Sequence, residues 1–136
     1  MSKLQGKSDT NKVTGKIIGC AYTVSNALGI GFLEKVYENA LAHELVKAGL
    51  RVQQQYPIQV EYDGIIAGEF FADLLVEDEI LVELKAISML GPTQSAQALN
   101  YLRATGLSIC LLINFGRSRI EVRNLVPSPS WKTSKS

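Results

Sequence analysis

Residues 70–86 read FFADLLVEDEILVELKA, two apolar runs of strand length on either side of the short acidic turn Glu77-Asp78. A turn of that length makes the runs an antiparallel pair, and residues whose numbers sum to about 155 then face one another. Asp73 comes to lie near Glu83. Because side chains alternate along a strand, Glu83 and Lys85 share one face while Val82 and Leu84 take the other. A strand apolar enough for the core therefore carries an acid and a base two positions apart, with a second acid across from them.

Two readings of that arrangement stand side by side. Carboxylates pressed together where water is scarce repel, and one takes up a proton unless a cation neutralises both. Lys85 supplies one charge. A Mg²⁺ or Mn²⁺ ion would supply more, since such ions accept oxygen ligands from one or two carboxylates and keep waters for exchange. Alternatively, Asp73, Glu83 and Lys85 form an ordinary cross-strand ion cluster at a solvated sheet edge, the commoner use of charged strand residues. Spacing alone favours the second reading.

Upstream of this pair, the polar residues 1–12 read as a flexible arm. A single domain over 13–126 then opens with a helix carrying Ile17, Ala21, Val24 and Leu28 at helical spacing, ended by Gly29-Ile30-Gly31. A second helix within residues 32–49 has Leu33, Val36, Tyr37, Ala40, Leu41 and Leu45 as its apolar stripe and Gly49 at its end. From Leu50 the period changes to that of strands, with Asp63-Gly64 as a hairpin turn, which predicts three or four antiparallel strands up to Lys85.

Downstream, GPTQSAQALNYLRATG (91–106) predicts a helix with Thr93 as N-cap, Ala96, Leu99 and Leu102 inward, and Gly106 as its stop. LSICLLINF (107–115) reads as a strand covered on both faces and, following a helix, parallel to its neighbour. SRIEVRNLV (118–126) is a last strand, and the Pro- and Ser-rich residues 127–136 read as a flexible tail. The predicted class is α/β, a mixed sheet flanked by helices.

At 136 residues, 46% hydrophobic and 20% charged, the chain suits one soluble core. A formal net charge of +1 excludes a broad basic surface, so any nucleic-acid contact must come from a local patch. Lys16 and Lys35 near the helix junction and Arg103 on the third helix are candidates. Arg117, Arg119 and Arg123 have the same parity and would project from one face of the last strand, to meet phosphates or simply to solubilise an edge. Cys20 and Cys110 lie far apart in apolar surroundings and read as reduced thiols, with neither disulfide nor zinc site. No signal core or membrane-length apolar stretch occurs, so a cytoplasmic location without membrane contact is expected. The one histidine, His43, is assigned no role.

GFLEKVY (31–37), FADLLVEDEILVELKA (71–86), QALNYLRATG (97–106) and LLINFG (111–116) together resemble the GxxExxY proteins of the PD-(D/E)XK nuclease superfamily, in that family's order. Many members carry His where this chain has Ser25, and often another His near Gln94, whereas the only histidine here is His43. The resemblance implies a restriction-endonuclease-like core and a metal-dependent endonuclease acting on nucleic acid, DNA in the first instance, with Mg²⁺ or Mn²⁺ as cofactor. In that reading Asp73 and Glu83 bind the metal, the Leu84 carbonyl adds a ligand, and Lys85 orients or deprotonates the water. Glu34 completes the site from the second helix and Gln97 supports it from the rim. Lys35, Arg103, Arg117 and Arg119 would meet the nucleic acid. Without the resemblance, Glu34 reads as a first-turn acid complementing a helix N-terminus, Tyr37 as core, and Gln97 and Asn100 as surface amides. Two alternatives stay open: a silent nuclease fold kept as a binding or assembly module, and a compact homodimeric resolvase of branched DNA.

Overall fold

A computed structural model describes residues 3–127. Among them, α1 (Lys3–Leu28) and α2 (Glu34–Lys47) precede strands β1 (Val52–Tyr62), β2 (Ile65–Val76) and β3 (Ile80–Lys85). Helix α3 (Pro92–Thr105) leads into β4 (Ile109–Asn114) and β5 (Glu121–Leu125). The strands form one five-stranded sheet in chain order, antiparallel except for the β3–β4 pair, which the α3 crossover makes parallel. The expected mixed α/β sheet is the observed one. No helix among the described residues is long and apolar enough to cross a membrane, and both cysteines are free.

Turn chemistry defines the antiparallel run. Asp63 and Gly64 both hold positive φ, the conformation that a tight hairpin favours. Glu77 and Asp78 do the same at the β2–β3 turn, where Arg51 at the start of β1 braces them: its N–H donates to Glu77 Oε2 at 2.7 Å and its guanidinium pairs with Asp78 at 3.4 Å.

Each face of the sheet has its own core. Ile17, Ala21 and Val24 of α1 and Tyr37, Leu41 and Leu45 of α2 pack on Leu74, Val76, Ile80, Val82, Leu84, Leu111 and Ile113. On the opposite face Ala98, Tyr101 and Leu102 of α3 cover Ile58, Ala72, Leu75, Leu81 and Cys110. Strand β3 thus sends Ile80, Val82 and Leu84 toward α1 and α2 and Leu81 toward α3, and alternation carries Glu83 and Lys85 to the α3 side.

Several sequence expectations are corrected. Helix α1 starts at Lys3, so most of the expected arm is helix; no proline interrupts it, and Thr10 Oγ1 reaches Glu79 Oε1 at the β2–β3 turn, 3.3 Å away. Residues 128–136 of the expected tail lie outside the described residues. On α2 the buried stripe is Tyr37, Glu38, Leu41, Ala42 and Leu45, whereas Leu33 is the N-cap residue, 81% exposed, and Val36 is exposed too. Helix α3 is capped by Gly91, whose N–H donates to Gln94 Oε1 at 2.7 Å, with Pro92 at the first helical position. Thr93 and Ala96 are exposed. Arg117 and Arg119 sit in the turn before β5, not on the strand, so the common-face argument does not apply to them.

The loop that leaves β3 is tied down from the far side of the sheet. Asn114, fully buried at the end of β4, donates through Nδ2 to Ile87 O and Glu121 Oε1, both at 2.9 Å. Its Oδ1 accepts the N–H groups of Ile87 and Gly116, both at 3.0 Å. Both donors and both lone pairs are therefore used. Glu121 Oε1 also accepts Leu90 N–H, and Arg123 donates to Leu90 O, Gly91 O and Ser95 Oγ. Gly116 passes so close to Ile87 that a Cβ there would run into the Ile87 backbone.

Asn114→Ala removes four hydrogen bonds made by a fully buried side chain, and the expected loss is about 2–4 kcal/mol of unfolding free energy. Urea denaturation checks it. A loss within about 0.5 kcal/mol, the range of ordinary surface changes, would mean that the loop holds itself.

Candidate active site

The β2–β3 ladder is short, running from Val76 opposite Ile80 to Leu74 opposite Val82. Beyond that point β2 stays paired with β1 and β3 with β4, so the sheet splits into a fork. Asp73 and Glu83 are the first residues past the split. Their carboxylates take over the hydrogen bonds that the next rung would have made: Asp73 N–H donates to Glu83 Oε1 at 3.0 Å, and Leu84 N–H donates to Asp73 Oδ2 at 2.7 Å. Each acid is held by the backbone of the other's strand. The opposition of Asp73 and Glu83 expected from the register is thus present, and Lys85 follows on the same face, half buried.

Glu83 is 6% exposed. Burial, and after it the neighbouring charge of Asp73, pushes its pKa up to about 8, against the opposing pull of the Asp73 N–H and Lys85. Burial likewise raises Asp73; the charges of Glu38 and Glu34 add to that, while the Leu84 N–H and the Gln55 side chain work against it. The fork is an acid pair short of positive charge.

A second carboxylate center stands behind the first. Glu38 on α2 is 3% exposed, and three donors satisfy it: Gln55 Nε2 on Oε1 at 2.7 Å, Gln54 Nε2 on Oε2 at 2.7 Å, and Lys35 Nζ on Oε2 at 3.0 Å. Gln55 also lies close enough to Asp73 to favour its charged form, so its amide stands between the two acids. To do this it adopts a φ of 55°, uncommon for a non-glycine residue, at the point in β1 where pairing skips from Gln54–Leu74 to Tyr56–Ala72. Left-handed residues of this kind cost free energy and persist where the surroundings hold them.

Glu38, Gln54, Gln55 and Tyr101 are the site neighbours that sequence reasoning missed. The signal available was the position of Glu38 one helical turn after Glu34, together with three consecutive glutamines in a strand. Glu34 itself is exposed on the first turn of α2 and reaches the pair through its charge. Gln97, exposed on α3, lies close enough to Tyr101 to act on its hydroxyl. Burial raises the Tyr101 hydroxyl's pKa, and the charges of Glu83 and Asp73 raise it further. Gln97 therefore stands one residue back from the acids.

The basic candidates divide. Lys35 is occupied by Glu38 and Arg123 by the α3 N-terminus. Arg117 pairs with Glu121 at 4.0 Å, and Arg119, Arg103 and Lys16 are exposed. Among the described residues no group of three or more His, Cys, Asp or Glu could enclose a metal. Two hard oxygen donors in a desolvated fork nevertheless fit a divalent cation that completes its shell with water, the habit of Mg²⁺.

A family model described as the PD-(D/E)XK nuclease superfamily matches residues 11–125. Among solved structures, an alkaline exonuclease, LHK-Exo from Laribacter hongkongensis, is similar at 16% identity and a TM-score of 0.54, over 74% of this chain and 59% of that one. The same enzyme in complex with dAMP matches at 15% identity and a TM-score of 0.55, over 74% and 58% of the two chains. SSO0001 matches at 15% identity and a TM-score of 0.55, over 96% of this chain and 64% of that one. At such identities the likeness is one of fold, and the chain spans less than two thirds of the length of each. No curated protein matches it. The fold is restriction-endonuclease-like, as the sequence led us to expect.

An acid whose folded pKa exceeds its unfolded value keeps its proton longer in the native state. Between the ordinary 4.5 and about 8, native Glu83 binds more proton than unfolded Glu83, so it contributes a loss of stability as pH rises through that window. With a chelator present, the urea midpoint of the wild type should fall from about pH 5 to about pH 9, and Glu83→Gln should flatten the decline. Equal slopes in the two proteins would mean that native Glu83 titrates as it does unfolded.

Proposed function

The chain belongs to the PD-(D/E)XK nuclease superfamily, and from that premise we propose that it is a metal-dependent endonuclease cleaving phosphodiester bonds, with DNA as substrate and Mg²⁺ or Mn²⁺ as the ion. Members of that superfamily generally use divalent metals. The observation that carries the reading is the reciprocal bonding of Asp73 and Glu83 at the fork, with Lys85 on the same face. The motif Gly31, Glu34 and Tyr37 supports placing the chain with the GxxExxY proteins, and the cytoplasm is the compartment we assign it.

Asp73 and Glu83 would hold the ion, with the Leu84 carbonyl as a further ligand. When bound, the ion supplies Lewis-acid polarisation of the phosphate and a water of lowered pKa. Bonds to backbone N–H groups keep both carboxylates aimed without help from substrate, a preorganisation that spares reorientation during reaction. Lys85 Nζ orients the attacking water. Glu34 adds negative charge at the rim, which draws a cation in, and Gln97 steadies the Tyr101 hydroxyl beside the acids. Lys35, Arg103, Arg117 and Arg119, all exposed, are the cations we assign to phosphate contacts.

One observation favours a second reading, a silent fold kept as a binding or assembly module: among the described residues no third His, Cys, Asp or Glu joins Asp73 and Glu83 in a group that could hold a metal. A homodimeric resolvase is a narrower form of the first reading, distinguished by preference for four-way junctions over linear duplex.

Calorimetric titration of Mn²⁺, paired with cleavage assays on single-stranded, duplex and junction DNA, separates them. Asp73→Asn and Glu83→Gln should each abolish Mn²⁺ binding and lower cleavage by about 10²-fold or more, whereas Lys85→Met should lower cleavage and leave Mn²⁺ binding in place. Mn²⁺ binding at full strength in both carboxylate variants would remove the metal from the fork and favour the module.

A further inference from the structure

The outer half of the β1–β2 ribbon stands over α3 and leaves a groove of about 670 Å³ between them. Gln59, Val60 and Glu61 line it from β1, Phe70 from β2, and Asn100 and Arg103 from α3. Phe70 is 43% exposed, and its ring meets that of Tyr101 at a centroid distance of 5.8 Å and a tilt of 39°. Tyr101 in turn lies close enough to Asp73 and Glu83 to feel both charges. The groove is therefore the continuation of the fork along α3. Phe70 precedes Asp73 by three strand positions, roughly 10 Å.

The lining has the chemistry of a nucleobase site. A phenyl face offers stacking that every base can use. Amides at Gln59 and Asn100 carry both donors and acceptors, and Glu61 accepts from amino and imino groups on a base edge. The Arg103 guanidinium suits a phosphate. A base inside a duplex is stacked and paired and cannot enter.

Charge points the same way. From Val52 to Leu84 the chain has no Lys or Arg, while the ribbon carries Glu61, Asp63 and Glu69. A duplex has two phosphate backbones to neutralise, and here α3 offers Arg103 to one and the ribbon would offer only acids to the other. We infer that the groove between Phe70 and α3 binds an unstacked base of single-stranded nucleic acid, about one to two nucleotides from the phosphate held at Asp73 and Glu83. This rests on the nuclease reading for the phosphate's place, though not for the base's.

The test is fluorescence anisotropy of the full chain with fluorescein-labelled oligodeoxythymidylate of about 15 nucleotides, an abasic strand of equal length, and a duplex, all in chelator so that nothing is cut. Phe70→Ala should weaken binding of the oligothymidylate about 5- to 100-fold, the usual worth of one stacked base, and leave the abasic strand unchanged. Phe70→Trp should restore it. Oligouridylate in parallel tells DNA from RNA. Thermal melts confirm that the half-exposed position tolerates change. Unchanged affinity in Phe70→Ala, equal binding of the abasic strand by the wild type, or conversion of a dimer to monomer by Phe70→Ala in sedimentation would each overturn the inference, the last by making the groove a self-interface. If the wild type cuts nothing and yet Phe70 governs binding of the base, the nuclease reading fails and the groove stands.

Discussion

Two hydrogen bonds, from Leu84 N–H to Asp73 and from Asp73 N–H to Glu83, decide how the sheet is built. They end the β2–β3 ladder at Leu74 and Val82 by substituting side-chain oxygen for backbone oxygen. Side-chain carboxyls in that place hold the strands apart, because they occupy the room where a backbone rung would close. Removing either acid leaves an N–H with no acceptor in a nearly dry setting, a cost comparable to a lost buried hydrogen bond. The fork is therefore as much a structural joint as a chemical one.

Its surroundings follow from the same shortage of positive charge. Behind the pair, Glu38 adds its own negative charge to the surroundings of Asp73, and Lys35, Gln54 and Gln55 hold its carboxylate in place. The amide of Gln55 lets two acids share one neutral neighbour, and a left-handed backbone in β1 is what aims it. Tyr37 closes the other end of this region: its hydroxyl donates to Gly29 O at 2.7 Å and accepts from Phe32 N–H, and its ring stacks on Phe115 at 4.8 Å. The turn before α2 is pinned by a core residue, which sets where Glu34 emerges.

Much of the fork was legible in the sequence because it depends on two simple periodicities. A two-residue alternation placed Glu83 and Lys85 together, and the turn at Glu77-Asp78 brought Asp73 opposite Glu83. Parallel pairing of β4 followed from the helix between it and β3. What stayed hidden depends on partners distant in sequence. Glu38 lies on the stripe that packs inward, where an acid reads as an exception, and its burial is intelligible only once the glutamines of β1 arrive above it. Leu33 and Val36 looked inward by spacing, but the helix begins at Glu34 and its axis turns them outward. Parity assigned Arg117, Arg119 and Arg123 to one face, yet only Arg123 is on the strand, and three acceptors near the start of α3 claim it.

The clamp made by Asn114, Glu121 and Arg123 also imposes an order in time. Asp73, Glu83 and Lys85 are all synthesised before β4 and β5, but the loop leaving Lys85 gains its hydrogen-bond partners only with those last strands. A chain still in synthesis, or one cut short of Arg123, carries every acid of the fork without the clamp that fixes the exit of β3. Its acids and its lysine are covalently present long before they share a rigid frame.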